Sequence, residues 1–152
     1  MIFYLVYTSI PRTEMSAKVL EDIARSSARN NKSKGITGIL LGIEGRYLQY
    51  LEGAHKNVLD LFEKLKQDGR HYEIHKWIQG FAEQRIFSEW SMASWMLSNK
   101  QISELKSVSE IRDFLDSPKS KNYPSQRFLE MMKNLLDSWI AHEPERSRKL
   151  KH

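Results

Sequence analysis

Apolar residues in this chain follow two rhythms. In "IFYLVYTS", residues 2–9, β-branched and aromatic side chains run on without a charge, which predicts a strand covered on both faces. Period two sets Phe3, Leu5 and Tyr7 on one face and Ile2, Tyr4 and Val6 on the other. "SAKVLEDIARSSARNN" changes the rhythm. Val19, Leu20, Ile23, Ala24 and Ser27 recur at helical spacing, predicting an amphipathic helix over 16–30 with Thr13 or Ser16 as its cap. "ITGILLGIEGRYLQYLEG" reads as two short strands reversing near Gly42 and Gly45. "HKNVLDLFEKLKQDG" is a second amphipathic helix, spanning about 54–68, with Val58, Leu61, Phe62 and Leu65 inward and Gly69 as a left-handed end. "YEIHKWIQGFAEQRIF" holds a fourth strand and "WSMASWML" a fifth. The order β-α-β-β-α-β-β predicts an α+β, ferredoxin-like sandwich with two helices on one sheet face.

The other face needs a cover too, because "GILLGI" and "YLQYL" are apolar on both sides. "NKQISELKSVSEIRDFLD" and "YPSQRFLEMMKNLLDSWI" are helical by pattern, the second with a broad stripe of Phe128, Leu129, Met132, Leu135, Leu136 and Trp139. These helices, or a partner subunit, are expected on the far face. The chain therefore divides into a domain over 1–97, a helical cap or output segment over 98–143 and a disordered basic tail over 144–152.

Composition narrows the chemistry. The 152 residues contain no cysteine, which removes disulfides, thiolate nucleophiles and Cys-based metal sites. No apolar run approaches the ~20 residues of a membrane span, and "MIFYLVYTS" is no targeting leader, so the cytoplasm is the expected compartment. The net charge of +5 first suggests nucleic acid, but "PERSRKLKH" holds four Lys/Arg against one Glu and leaves only about +2 for the rest. The body is not a polyanion binder.

Gln49 is the residue that periodicity does not absorb. It sits in mid-strand, on the side of Tyr47 and Leu51, and an unpaired buried amide costs roughly 1–3 kcal/mol. Either neighbouring backbone satisfies it or it faces something polar inside. Tyr7 shares a side with Phe3 and Leu5, and alternation gives Trp90 and Met92 a common side in the last strand. Asn30 and Asn31 close the first helix. Lys64 and Asp68 lie four apart on one face of the second, with Arg70 and His71 just beyond it. Each has a bland alternative: a core tyrosine, helix-end asparagines, a solvent-facing ion pair, a core-filling methionine.

Together the residues resemble the BLUF family, the blue-light sensors that use FAD. The likeness runs from about Phe3 to Leu97 and rests on "LVYTS", "NNKSKGITGILL", "YLQYLEG", "DGRHYEI" and "FSEWSM". The resemblance implies an isoalloxazine ring between the two helices, with FAD favoured and FMN or riboflavin as alternatives. It implies that Asn31 bonds the ring's carbonyl and imide edge beside Asn30, that Ile23 and Ser27 line a wall, and that Lys64, Asp68, Arg70 and His71 lie toward the ribityl chain and phosphate. It makes Tyr7 the donor of electron and proton to photoexcited flavin, Gln49 the amide that rearranges, and Trp90 and Met92 the relay, one or the other approaching Gln49.

The resemblance also implies a non-enzymatic photosensor. About 55 residues follow Leu97, too few for an appended cyclase or phosphodiesterase, so output is expected as oligomer change or as binding of a downstream protein. A homo-oligomer is expected, with no nucleic acid and no membrane. The rivals are a flavin-dependent reductase, which finds no second cofactor fingerprint, and a nucleic-acid-binding sandwich, which would need exposed aromatics in a basic field.

Overall fold

The computed structural model of the protein describes residues 1–117 and 122–151. Among the described residues the elements run β1 (Ile2–Pro11), α1 (Ala17–Lys32), β2 (Thr37–Ile43), β3 (Arg46–Gly53), α2 (His55–Lys66), β4 (His71–Ala82), β5 (Ala93–Met96), α3 (Asn99–Glu104), α4 (Lys106–Asp116), α5 (Ser125–His142) and α6 (Pro144–Leu150). The sheet order is β4-β1-β3-β2-β5. Its first four strands are antiparallel neighbours, and β5 joins β2 in parallel. The ferredoxin-like α+β arrangement is the one expected.

Local chemistry explains the boundaries. Ser16 starts α1 by accepting from the Val19 amide at 3.1 Å. The β2–β3 reversal takes two residues, Glu44 (φ 49°) and Gly45 (φ 77°), both left-handed as a tight hairpin of this hand requires. Gly42 lies inside β2 rather than in the turn. The pairing of β4 with β1 slips twice, between Val6 and Tyr7 and between Thr8 and Ile10. Glu73, at φ 51°, lies in the second slip.

Two cores sandwich the sheet. One lies under α1 and α2 and includes Phe3, Leu5, Tyr7, Leu40, Leu51, Val58, Phe62 and Met92. The other gathers Tyr4, Val6, Ile39, Leu41, Leu48, Tyr50 and Trp95 beneath Ile111, Phe114, Phe128, Met132, Leu135 and Trp139 of α4 and α5. The C-terminal helices therefore cover the far face as the apolar pattern of β2 and β3 demands. Phe128 is buried against Tyr4 and Tyr50, with centroids 6.1 and 6.4 Å away.

Further expectations change. Residues 144–150, expected as disordered tail, form α6, and Ser147 on it is buried. The basic tail orders because Arg146 reaches Ser94 O at 3.0 Å and Ser94 Oγ at 2.6 Å, while Trp90 Nε1 donates to Ser147 O at 2.8 Å. α1 runs on to Lys32, so Asn30 and Asn31 are helical rather than helix-closing. α2 stops at Lys66 with a right-handed cap at Gln67, and Gly69 supplies no left-handed end. Trp90 and Met92 part company, because 83–92 is an irregular connection to which period two does not apply. Residues 118–121 of the expected output segment and residue 152 of the expected tail lie outside the described residues.

Candidate functional site

Between α1 and α2, above the middle of β1 and β3, lies a cavity of about 510 Å³. Ile23, Ser27, Leu40, Leu65, Tyr7 and Gln49 are among its walls, with Asp68, Arg70 and His71 at one end. A second hollow of about 470 Å³ shares Ile23, Ser27, Gln49, Asp68 and Arg70 and adds Asn30, Asn31 and Lys64. Both fall within the range of ligand sites. The structure thus gathers every residue expected around the ligand.

Tyr7 and Gln49 meet because β1 and β3 pair in register, placing the two directly opposite. The Tyr7 hydroxyl donates to Gln49 Oε1, and Gln49 Nε2 donates to Met92 Sδ at 3.5 Å. Both side chains are buried. Burial pushes the Tyr7 phenol well above its ordinary pKa, and the Asp68 carboxylate adds to the effect. Tyr7 therefore keeps its proton, and the carbonyl end of the amide is the end that suits it. A thioether is a weak acceptor, and Nε2 carries a second hydrogen with no protein partner among the described residues.

Asn31 is buried and donates from Nδ2 to Ser91 O at 3.1 Å, while Asn30 is exposed on the rim. His71 is held at both nitrogens, Nδ1 at 2.7 Å from Ser9 Oγ and Nε2 at 2.6 Å from Leu65 O. A carbonyl only accepts, so Nε2 carries a hydrogen toward Leu65 O.

Lys64 and Asp68 do not form the i, i+4 pair that a longer helix would have made. Asp68 instead takes the Arg70 guanidinium in a fork, with Nε 3.0 Å from Oδ1 and the terminal nitrogen 2.7 Å from Oδ2. The Arg70 hydrogen bond, opposed by some burial, holds the Asp68 carboxyl down at about 2.

Trp90 stands apart. It lies in the far core, 5.4 Å edge-on from Trp139, and its indole serves α6 rather than the cavity. Alternation could not have revealed this. Sequence reasoning also passed over Glu52, whose carboxylate is fully buried. The signal was present: a charge inside the apolar run "YLQYLEG". Among the described residues no cluster of ligating side chains could hold a metal, and no helix is long and apolar enough to cross a membrane.

The arrangement suits a flat ligand with apolar faces and one polar edge. Ile23 and Leu65 offer the faces, the amides of Gln49 and Asn31 an edge, and Arg70 and Lys64 a cationic rim for an anionic tail. The spare Gln49 hydrogen, with no protein acceptor among the described residues, suits a carbonyl on that edge.

Comparison with known proteins agrees. The family model described as BLUF, sensors of blue light using FAD, matches residues 2–93. The photoactivated adenylate cyclase subunit beta of Euglena gracilis is 34% identical over 91 residues, covering 59% of this chain and 11% of that protein. The chain thus spans about a tenth of that relative's length. Among solved structures, the dark state of BlrB, a BLUF protein, aligns with a TM-score of 0.65 at 30% identity over 78% of this chain and 88% of that one. The photo-activated state of BlsA aligns at 0.70 with 25% identity over 90% of this chain and 95% of its own.

Proposed function

The chain belongs to the BLUF family of blue-light sensors that use FAD, and from that premise we propose that Tyr7, Gln49 and Met92 are its light-responsive relay. The observation that carries this reading is the unbroken line from the Tyr7 hydroxyl through the Gln49 amide to Met92 Sδ, with Tyr7 and Gln49 in the wall of the cavity.

The flavin, when bound, supplies the absorption of blue light and the oxidising power that follows it. Asn31 and Gln49 would hold its polar edge, Ile23 and Ser27 one wall, and Lys64 and Arg70 the region of its phosphates. Tyr7 would give an electron to the photoexcited flavin and release its hydroxyl proton by way of Gln49 Oε1, and would take both back on recombination. The amide, no longer facing a fixed donor, turns or shifts its own proton between nitrogen and oxygen, so that a donor replaces the acceptor on that side. Met92 Sδ then loses the Nε2 hydrogen. Such an exchange is worth about 1–2 kcal/mol, enough to bias a two-state element roughly tenfold and too little to refold the domain.

Output passes from Met92 through β5, whose Ser94 carbonyl accepts from Trp139 Nε1 at 3.1 Å and from Arg146 at 3.0 Å. The chain acts as a non-enzymatic photosensor in the cytoplasm, as a homo-oligomer that meets a downstream protein through its C-terminal helices. The test is an absorption spectrum of the purified, FAD-loaded protein before and after blue illumination. A small, reversible red shift is expected. A coloured protein whose spectrum never changes, or one that takes up no flavin, would end the proposal.

A further inference from the structure

Glu52 lies three residues beyond Gln49, on the opposite face of β3, and has no exposed surface. Four donors converge on its carboxylate. Oε2 accepts from Thr37 Oγ1 at 2.7 Å and from the Phe87 amide at 2.7 Å; Oε1 accepts from the Ile86 amide at 2.8 Å and from the Tyr50 hydroxyl at 3.3 Å. Arg85 adds a cation close by, donating to Thr37 Oγ1 at 3.0 Å. A buried acid without partners would be strongly disfavoured, yet this one is saturated. Two of its partners are backbone amides of the irregular connection between β4 and β5, where no strand pairing is available to satisfy them.

That connection decides what stands beside Gln49. Phe87 O accepts from the Trp90 amide at 3.0 Å, Trp90 O from the Gly38 amide at 3.2 Å, and Ser91 O from Asn31 Nδ2 at 3.1 Å. The chain crosses at Ser91 from the far core, where Phe87 and Trp90 sit, to the cavity core, where Met92 sits. The geometry points to Glu52 as a positioning residue: by gripping Ile86 and Phe87 it sets the start of this turn, and so holds Met92 beside Gln49 and Trp90 against α6. This deepens the function proposed above and rests on it. It ties the strand bearing the switch amide to the segment bearing its acceptor, through a carboxylate on the face away from the ligand.

The test uses the flavin-loaded protein in the dark throughout, so that failure of the photochemical reading, seen under a lamp, is separate. In the unmodified protein, the Ile86 and Phe87 amides should exchange with solvent at least a hundredfold more slowly than those of Glu83 and Gln84 in the same connection. In Glu52→Gln, an amide nitrogen replaces one acceptor. Protection of Ile86 or Phe87 should fall at least tenfold, and the Met92 methyl and Trp90 indole N–H resonances, assigned with Met92→Leu and Trp90→Phe, should move or broaden. Tyr50→Phe takes a donor from the same carboxylate while keeping the ring that packs on Phe87, and should leave both resonances in place. Unchanged Met92 and Trp90 signals in Glu52→Gln would overturn the inference. So would Ile86 and Phe87 amides in the unmodified protein that exchange as fast as their neighbours, a result that decides the matter even if the variant does not fold.

Discussion

Replacing Tyr7 by Phe deletes one oxygen at the centre of the relay. The ring keeps its place, tilted against Phe62 at 5.4 Å and edge-on to His71 at 6.3 Å, so packing is preserved. What is lost is the donor to Gln49 Oε1, in a position where Tyr7 and Gln49 are each 3% exposed. An orphaned buried acceptor costs about 1–3 kcal/mol. At roughly 2–4 °C per kcal/mol for a chain of this size, the melting midpoint should fall by about 2–12 °C. With no fixed donor on one side, the amide also loses its reason to point its carbonyl that way. The variant should bind FAD, stay yellow and show no red shift. Difference absorption under blue light and thermal melts of the loaded protein check both parts. A full reversible shift would refute the assignment of Tyr7, and an unchanged melting midpoint would show that the amide finds another donor.

Gln49→Leu should likewise keep the colour and lose the shift, and Tyr7→Phe/Gln49→Leu should cost less stability than the two single changes added, because neither leaves an orphan; denaturation of all four proteins measures this coupling. Asp68 should titrate near 2 by NMR, and Arg70→Ala should return it toward its ordinary value of about 3.9. Because the folded pKa lies below the unfolded one, the pair stabilises the protein above about pH 4 and loses that contribution as pH falls toward 2, a modest loss given an arginine 74% exposed, and one that Arg70→Ala should abolish. Arg146→Ala should loosen α6, and the Trp90 indole N–H, bonded to Ser147 O, should exchange about ten- to a hundredfold faster, in line with a charge-assisted bond worth about 1.5–3 kcal/mol.

Much of this molecule is legible along its chain because burial leaves a rhythm. The unbroken apolar run of β1 announced a central strand, and the stripe on α5 announced the cover of the far face. Tyr7 and Gln49 could be put on one side of the sheet by counting in twos, since both strands are regular and paired. Counting failed where the backbone is irregular. Trp90 and Met92 lie two apart on a turn held by Glu52, Gly38 and Asn31, partners distant in sequence. The tail read as solvated because its charges were counted alone; Arg146 is ordered by a carbonyl on β5. Glu52 was overlooked because a carboxylate near a strand's end looks like an exit to solvent; the apolar run around it pointed the other way, and its four donors account for its burial.

The sheet's two outer borders are unlike each other, yet neither offers another chain a straight template. On one side β5 is only four residues long, three of them buried. On the other, β4 is long but twice out of step with its neighbour, bent at a left-handed Glu73 and studded with Lys76 and Glu73. A kinked, charged margin is a poor site for an incoming strand. Concentrated solutions of this protein should therefore resist fibril growth by edge-to-edge addition.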